Sequence, residues 1–176
     1  KGDNIQQIKR LCEQVPLPYV VHTRLASIGG RSPALSHPFP IEKSPRLDFH
    51  GCAKKVLMHN GHISEWEKII GVVDPYVNIN KELWSDSRAI AHIIAKQGEK
   101  FLDIFKSGNR FCLFSIKEIK LIGDWKEYED YYFSSIPWKI LNHTTNNNFV
   151  FGNNYIQNSQ YSNKHSFANL ISEYYD

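Results

Sequence analysis

Apolar residues recur at three- and four-residue intervals at the start of the chain. Ile5, Ile8, Leu11 and Cys12 share one face of a helix that Asp3 can cap and that Pro16 and Pro18 end. At Tyr19 the pattern changes: "YVVHTRL" is rich in β-branched residues and predicts a buried strand. From Ser27 to about Gly51 glycines, serines and four prolines predict a long irregular connection, a kind of segment that often carries function. "AKKVLMHNG" predicts a second strand, ending in an Asn60-Gly61 pair suited to a tight turn. Ser64 and Glu67 have the spacing of a capping box for a short helix, Glu65 to Ile70.

Farther on, Ser85 or Asp86 opens an amphipathic helix through Lys96, with Gly98 as its stop, and a helical piece from Glu99 to Phe105 ends at Gly108. "RFCLFSIKEIKLIGDW" reads as two strands joined at Lys117-Glu118, and "YYFSSI" continues the antiparallel pattern. No internal repeat interrupts this order. The predicted fold class is α+β, in a domain over residues 1–141. Residues 142–176, rich in Asn, Ser and Tyr, read as a low-complexity tail that a protein partner could order.

Composition narrows the function classes. With 176 residues the chain is long enough for one sizeable core. A net charge of +3 on scattered basic residues gives no electrostatic footprint for nucleic acid. No apolar run has the length of a membrane span, and no signal peptide opens the sequence. Cys12, Cys52 and Cys112 are odd in number and unrelated in spacing, which fits a reducing, cytoplasmic setting better than a disulfide framework.

Three polar clusters fall at the ends of predicted elements: His22-Thr23-Arg24 with Ser27, His59-Asn60-Gly61, and Ser85-Asp86-Ser87. Each has an ordinary explanation. Arg24 can be a surface or salt-bridging residue, Asn60-Gly61 a turn, and Asp86 part of a helix cap. His50, Cys52, His59 and His62 also lie close in sequence, but their spacing matches no common zinc pattern.

The order of these clusters, with His37-Pro38-Phe39 between them, resembles the class II glutamine amidotransferase domain of the N-terminal-nucleophile hydrolases. The matching elements are His22-Thr23-Arg24-Leu25-Ala26-Ser27, His37-Pro38-Phe39, His59-Asn60-Gly61-His62-Ile63 and Ser85-Asp86-Ser87. They cover Pro18 to Ile94, and a looser likeness to small bacterial and phage members runs on through "IKLIGDWKEYEDYYFS". The resemblance implies an αββα sandwich of antiparallel sheets, lacking its first strands in this chain. It implies an amide hydrolase acting on glutamine or a related amide, with no cofactor and no metal. Arg24 would clamp the substrate carboxylate as a bidentate fork, helped by Ser27 where relatives usually carry threonine. Asp86 would pair with the ammonium, and Asn60 with the Gly61 backbone N–H would form the oxyanion hole. His22, His37 and His59 would be structural.

The nucleophile of that family is an N-terminal cysteine whose α-amino group acts as base. Cys12 and Cys112 read as core and Cys52 lies in the wrong element, so none of the three fits. The five retained glutamine-binding residues favour a chain whose nucleophile segment lies ahead of Lys1. The alternative is a non-catalytic structural or interaction protein reusing the fold, virion-associated if phage-encoded. Membrane and nucleic-acid partners are not expected.

Overall fold

The computed structural model describes residues 5–23, 32–128, 131–135 and 155–156. Among them the helices are α1 (Ile5–Gln14), α2 (Trp66–Val73) and α3 (Asp86–Gln97), with 3₁₀ turns at Pro33–Leu35 and Glu99–Ile104. The strands are β1 (Phe39–Pro40), β2 (Lys55–Asn60), β3 (Arg110–Ser115), β4 (Ile119–Gly123), β5 (Lys126–Tyr128), β6 (Tyr131–Phe133) and β7 (Tyr155–Ile156). The chain is α+β with antiparallel sheets.

Five strands pair in the order β1-β2-β3-β4-β7, every pair antiparallel. The β2–β3 register sets Leu57 opposite Leu113 and His59 opposite Phe111, so the residues that alternate toward one face meet across the strands. Phe39, Leu57, Phe111 and Leu113 from that face join Trp66 and Ile70 of α2, Ala89, Ile90 and Ile93 of α3, and Leu102 in one core. Cys112 alternates to the opposite face and is buried there, as its apolar strand context predicts. The strand Tyr155–Ile156 adds to β4 from within the Asn-rich segment; the rest of residues 142–176 lies outside the described residues.

Four sequence expectations change. Tyr19–Thr23, read as part of a strand, joins no sheet. The main sheet ends at β1, a two-residue strand whose Pro40 has no N–H to offer a further neighbour. The segment instead packs through its side chains, with the His22 ring centroid 4.0 Å from that of His37. Helix α2 starts at Trp66 behind Glu65, with no side-chain cap hydrogen bond, so Ser64 and Glu67 form no capping box. The YYF strand is antiparallel as expected, but it pairs with β5 in a separate hairpin. Finally, α3 is buried on every side from Asp86 to Ile94 rather than amphipathic. Its polar residues face neighbouring segments: Arg88 donates from Nε to the Pro45 carbonyl at 2.9 Å and from Nη1 to the Leu83 carbonyl, and its guanidinium lies 4.4 Å from the Trp84 ring centre. Burial without a counter-charge lowers the Arg88 pKa, while the two carbonyls satisfy donors that water would otherwise serve.

Among the described residues no helix is long and apolar enough to cross a membrane.

Candidate functional site

The end of β2 and the start of α3 meet at one corner of the sheet. Ser85 caps α3 through its hydroxyl, which accepts the Arg88 N–H at 3.3 Å. Asp86 follows as the first helical residue, where the positive end of the helix favours a carboxylate. Its Oδ2 accepts the Ile63 N–H at 3.1 Å and its Oδ1 accepts the Ser87 N–H at 2.7 Å. The Ile63 contact ties the loop after β2 to the helix and brings two motifs together that lie far apart in sequence.

His59 is buried between them. Its Nδ1 lies 3.0 Å from Ser87 Oγ and its Nε2 lies 2.9 Å from Asn109 Oδ1, while the ring stacks on Phe111 with centroids 4.7 Å apart. Burial pulls the His59 pKa below its ordinary value; the Asn109 contact and the Asp86 charge oppose this, and His62 adds to it. His59 is therefore a neutral, doubly partnered group near neutral pH.

Gly61 stands beside this network at φ +150°. A Cβ there would come within 2.1 Å of Asn109 Oδ1, 2.8 Å of its Cγ and 2.9 Å of His59 Nε2. Only glycine fits, because the side chains of strand β2 and of the residue opposite close on its Cα. Asn60 donates from Nδ2 to Ser134 Oγ at 2.7 Å, and its second amide hydrogen remains for another acceptor.

Of the sequence-derived set, Asn60 and Gly61 end β2 and Asp86 is tied to the loop after them through the Ile63 N–H, while the Asn60 side chain alternates to the sheet face opposite His59 and meets Ser134. Arg24 and Ser27 lie outside the described residues. His22 and His37 pack on each other, and the His37 ring makes an edge contact with buried Phe39. The cysteines lie elsewhere: burial pushes the Cys112 thiol up to about 12, and burial likewise raises Cys12, whose Tyr19 hydrogen bond offsets the rise in part. Neither is a ready thiolate. Cys52 is exposed. Among the described residues no three His, Cys, Asp or Glu side chains converge as a metal would require.

Sequence reasoning missed two members. Extending the β2–β3 register by one position sets Gly61 opposite Asn109, a residue that belongs to none of the sequence motifs. Asn109 also packs its backbone against Gly123, where a Cβ would meet the Asn109 carbonyl oxygen at 2.1 Å. Ser134 reaches Asn60 from just beyond β6 and carries no local signal at all.

No protein-family model, curated protein or solved structure matches this chain.

Proposed function

We propose that this chain is a glutamine amidotransferase-like amide hydrolase domain, built as an αββα sandwich of the N-terminal-nucleophile hydrolase kind. The observation that carries the proposal is the junction of His59-Asn60-Gly61 with Asp86 through the Ile63 N–H. Four motifs in the family's order supply the rest. Glutamine carries a carboxylate, an ammonium and an amide, and the chain has a group suited to each.

In the proposed mechanism Arg24 and Ser27 bind the carboxylate and Asp86 binds the ammonium. A cysteine thiolate attacks the side-chain amide carbon, and the resulting oxyanion accepts hydrogen bonds from Asn60 Nδ2 and the Gly61 N–H. Each such donor is worth about a hundredfold in rate. The C–N bond breaks, the nitrogen leaves as ammonia after taking a proton, and water then cleaves the thioester to give glutamate. Such a domain takes its thiol from an N-terminal cysteine, a residue other than Cys12, Cys52 and Cys112. Glutamine or another γ-glutamyl amide is the substrate class.

A second reading has an observation of its own. Both Asp86 oxygens already accept backbone N–H groups, and Asn60 is bonded to Ser134. Those bonds would serve a non-catalytic scaffold that keeps the corner only for its stability, with the Tyr- and Asn-rich tail as a protein-binding arm. A carboxylate has about four acceptor positions, so two remain on Asp86 for an ammonium.

Calorimetry with glutamine on this chain separates the two. Millimolar or tighter binding is expected, weakened at least tenfold by Asp86→Asn and by Arg24→Ala. A longer chain that opens on an N-terminal cysteine should release ammonia from glutamine, and Arg24→Ala should abolish that release. Absence of glutamine binding by a folded protein would replace the hydrolase with the scaffold.

A further inference from the structure

The direction of each hydrogen bond around His59 follows from Asn109. Its Nδ2 donates to the carbonyls of Phe105 at 2.9 Å and Ser107 at 3.3 Å. Carbonyl oxygens only accept, so the amide nitrogen must face them and Oδ1 must face His59. Oδ1 in turn only accepts, so His59 Nε2 must carry a hydrogen. A neutral ring then leaves Nδ1 bare, and the hydroxyl 3.0 Å away is the group that can donate to it.

Ser87 Oγ also lies 3.3 Å from Asp86 Oδ1, yet a hydroxyl has one proton to give. We propose that Asn109 is a positioning residue: it holds His59 in the Nε2–H tautomer, so that Ser87 donates to His59 and leaves Asp86 Oδ1 open to the ammonium of a ligand. The tautomer stands on the geometry alone; the ammonium rests on the glutamine reading above.

A proton added to His59 reverses the chain. Nδ1–H then donates to Ser87 Oγ, and the hydroxyl proton turns to Asp86 Oδ1, occupying an acceptor position that the ligand would use. Among the described residues, the titratable groups acting on His59 are Asp86 from α3 and His62 from the loop after β2. Ser87, Asn109 and the Phe111 ring complete its surroundings. Acid should therefore weaken ammonium binding through Ser87, and bound ammonium should oppose protonation of His59.

The test is long-range proton–nitrogen NMR of the whole chain carrying ¹⁵N-histidine. At pH 7.5 His59 is expected as the Nε2–H tautomer, in the wild type and in Ser87→Ala. Asn109→Ala is expected to populate the Nδ1–H form. A wild-type ring protonated at Nδ1, or an unchanged tautomer in folded Asn109→Ala, overturns the proposal. If Asn109→Ala fails to fold, the wild-type and Ser87→Ala tautomers still decide it. Adding glutamine to the same sample should move the His59 titration midpoint to lower pH, and less so in Ser87→Ala. The expected tautomer with no response to millimolar glutamine would overturn the ligand and leave the role of Asn109 standing.

Discussion

Two buried imidazoles lie against helix α3, and their surroundings are built differently. His59 reaches the first turn from β2 and has a partner on both nitrogens, Ser87 and Asn109, both neutral. His92 sits on the helix itself, about midway along it, and meets charge. Its Nε2 lies 3.0 Å from Asp74 Oδ2, beside the C-terminus of α2, and Lys96 reaches the same oxygen at 2.6 Å. Its Nδ1 has no partner among the described residues, and its ring stands edge-on to Trp84. Asp74 therefore keeps a cation whether or not His92 is there, while among the described residues the Asn109 oxygen has no donor other than His59. At the start of α3 the imidazole is held by two neutral partners, with the Asp86 carboxylate behind Ser87; farther along the helix the other imidazole belongs to a charge pair with a spare member. The first kind of arrangement fixes the geometry of a corner; the second ties two helices together and tolerates change.

The comparison predicts a ranking of substitutions. Gly61→Ala should be the most damaging, because its Cβ would overlap Asn109 and strain a backbone that side-chain-bearing residues avoid. Overpacking and strain together should lower unfolding stability by about 3 kcal/mol or prevent folding. A protein that tolerated alanine there with unchanged urea midpoint would show that Asn109 does not close on Gly61. His59→Leu should come next. It leaves the Asn109 oxygen buried without its donor and turns the Ser87 hydroxyl to Asp86 Oδ1 3.3 Å away, a loss of about 1–3 kcal/mol on typical values for one such group. His92→Leu should change stability by about 1 kcal/mol or less, since Lys96 still neutralises Asp74 and an unpartnered ring nitrogen is removed. Chemical denaturation of the two leucine variants side by side checks the order. Equal losses would erase the distinction between the two imidazoles.

The same contrast explains what could be read from the sequence. Helix α3, its Ser85 cap and its Gly98 stop follow from local signals, and so do β2, β3 and β4; burial alternates along β2, while Phe111, Cys112 and Leu113 of β3 are buried in succession. Asp86 and Asn60-Gly61 stood out because cap and turn residues sit at element ends, where sites are built. Asn109 and Ser134 were illegible for a common reason: each acts through a partner distant in sequence, and register across strands is not a local property. The burial of α3 on all sides was equally hidden. Arg88 and His92 look like a solvent face until Pro45, Leu83 and Asp74 arrive from other segments to receive them. Tyr19–Thr23 has the composition of a strand but no free ladder beside it. Local preference predicts a buried strand, and the proline in the sheet's terminal strand leaves it no place.

The smallest expected effect is the dependence of stability on pH, and it separates the two imidazole surroundings by window. Burial depresses the folded-state pKa of His59 below the ordinary 6.5. As pH falls through about 6.5 the unfolded chain takes up a proton that the folded chain resists, so this stabilisation is present above that value and lost below it. Asp74 works lower. Lys96 chiefly, with His92, holds its carboxylate below the ordinary 3.8 against the opposing effect of desolvation. Its contribution is present above pH 3.8 and disappears as pH falls toward the folded value. Urea unfolding between pH 7.5 and 5 should therefore show a loss of stability that His59→Leu reduces and Asp74→Asn leaves in place, whereas below pH 4 Asp74→Asn should flatten the remaining slope. If His59→Leu kept the full loss between pH 7.5 and 5, the imidazole at the β2–α3 corner would not be the proton-resisting group, and the neutral network drawn around it would have to be redrawn with a charged ring.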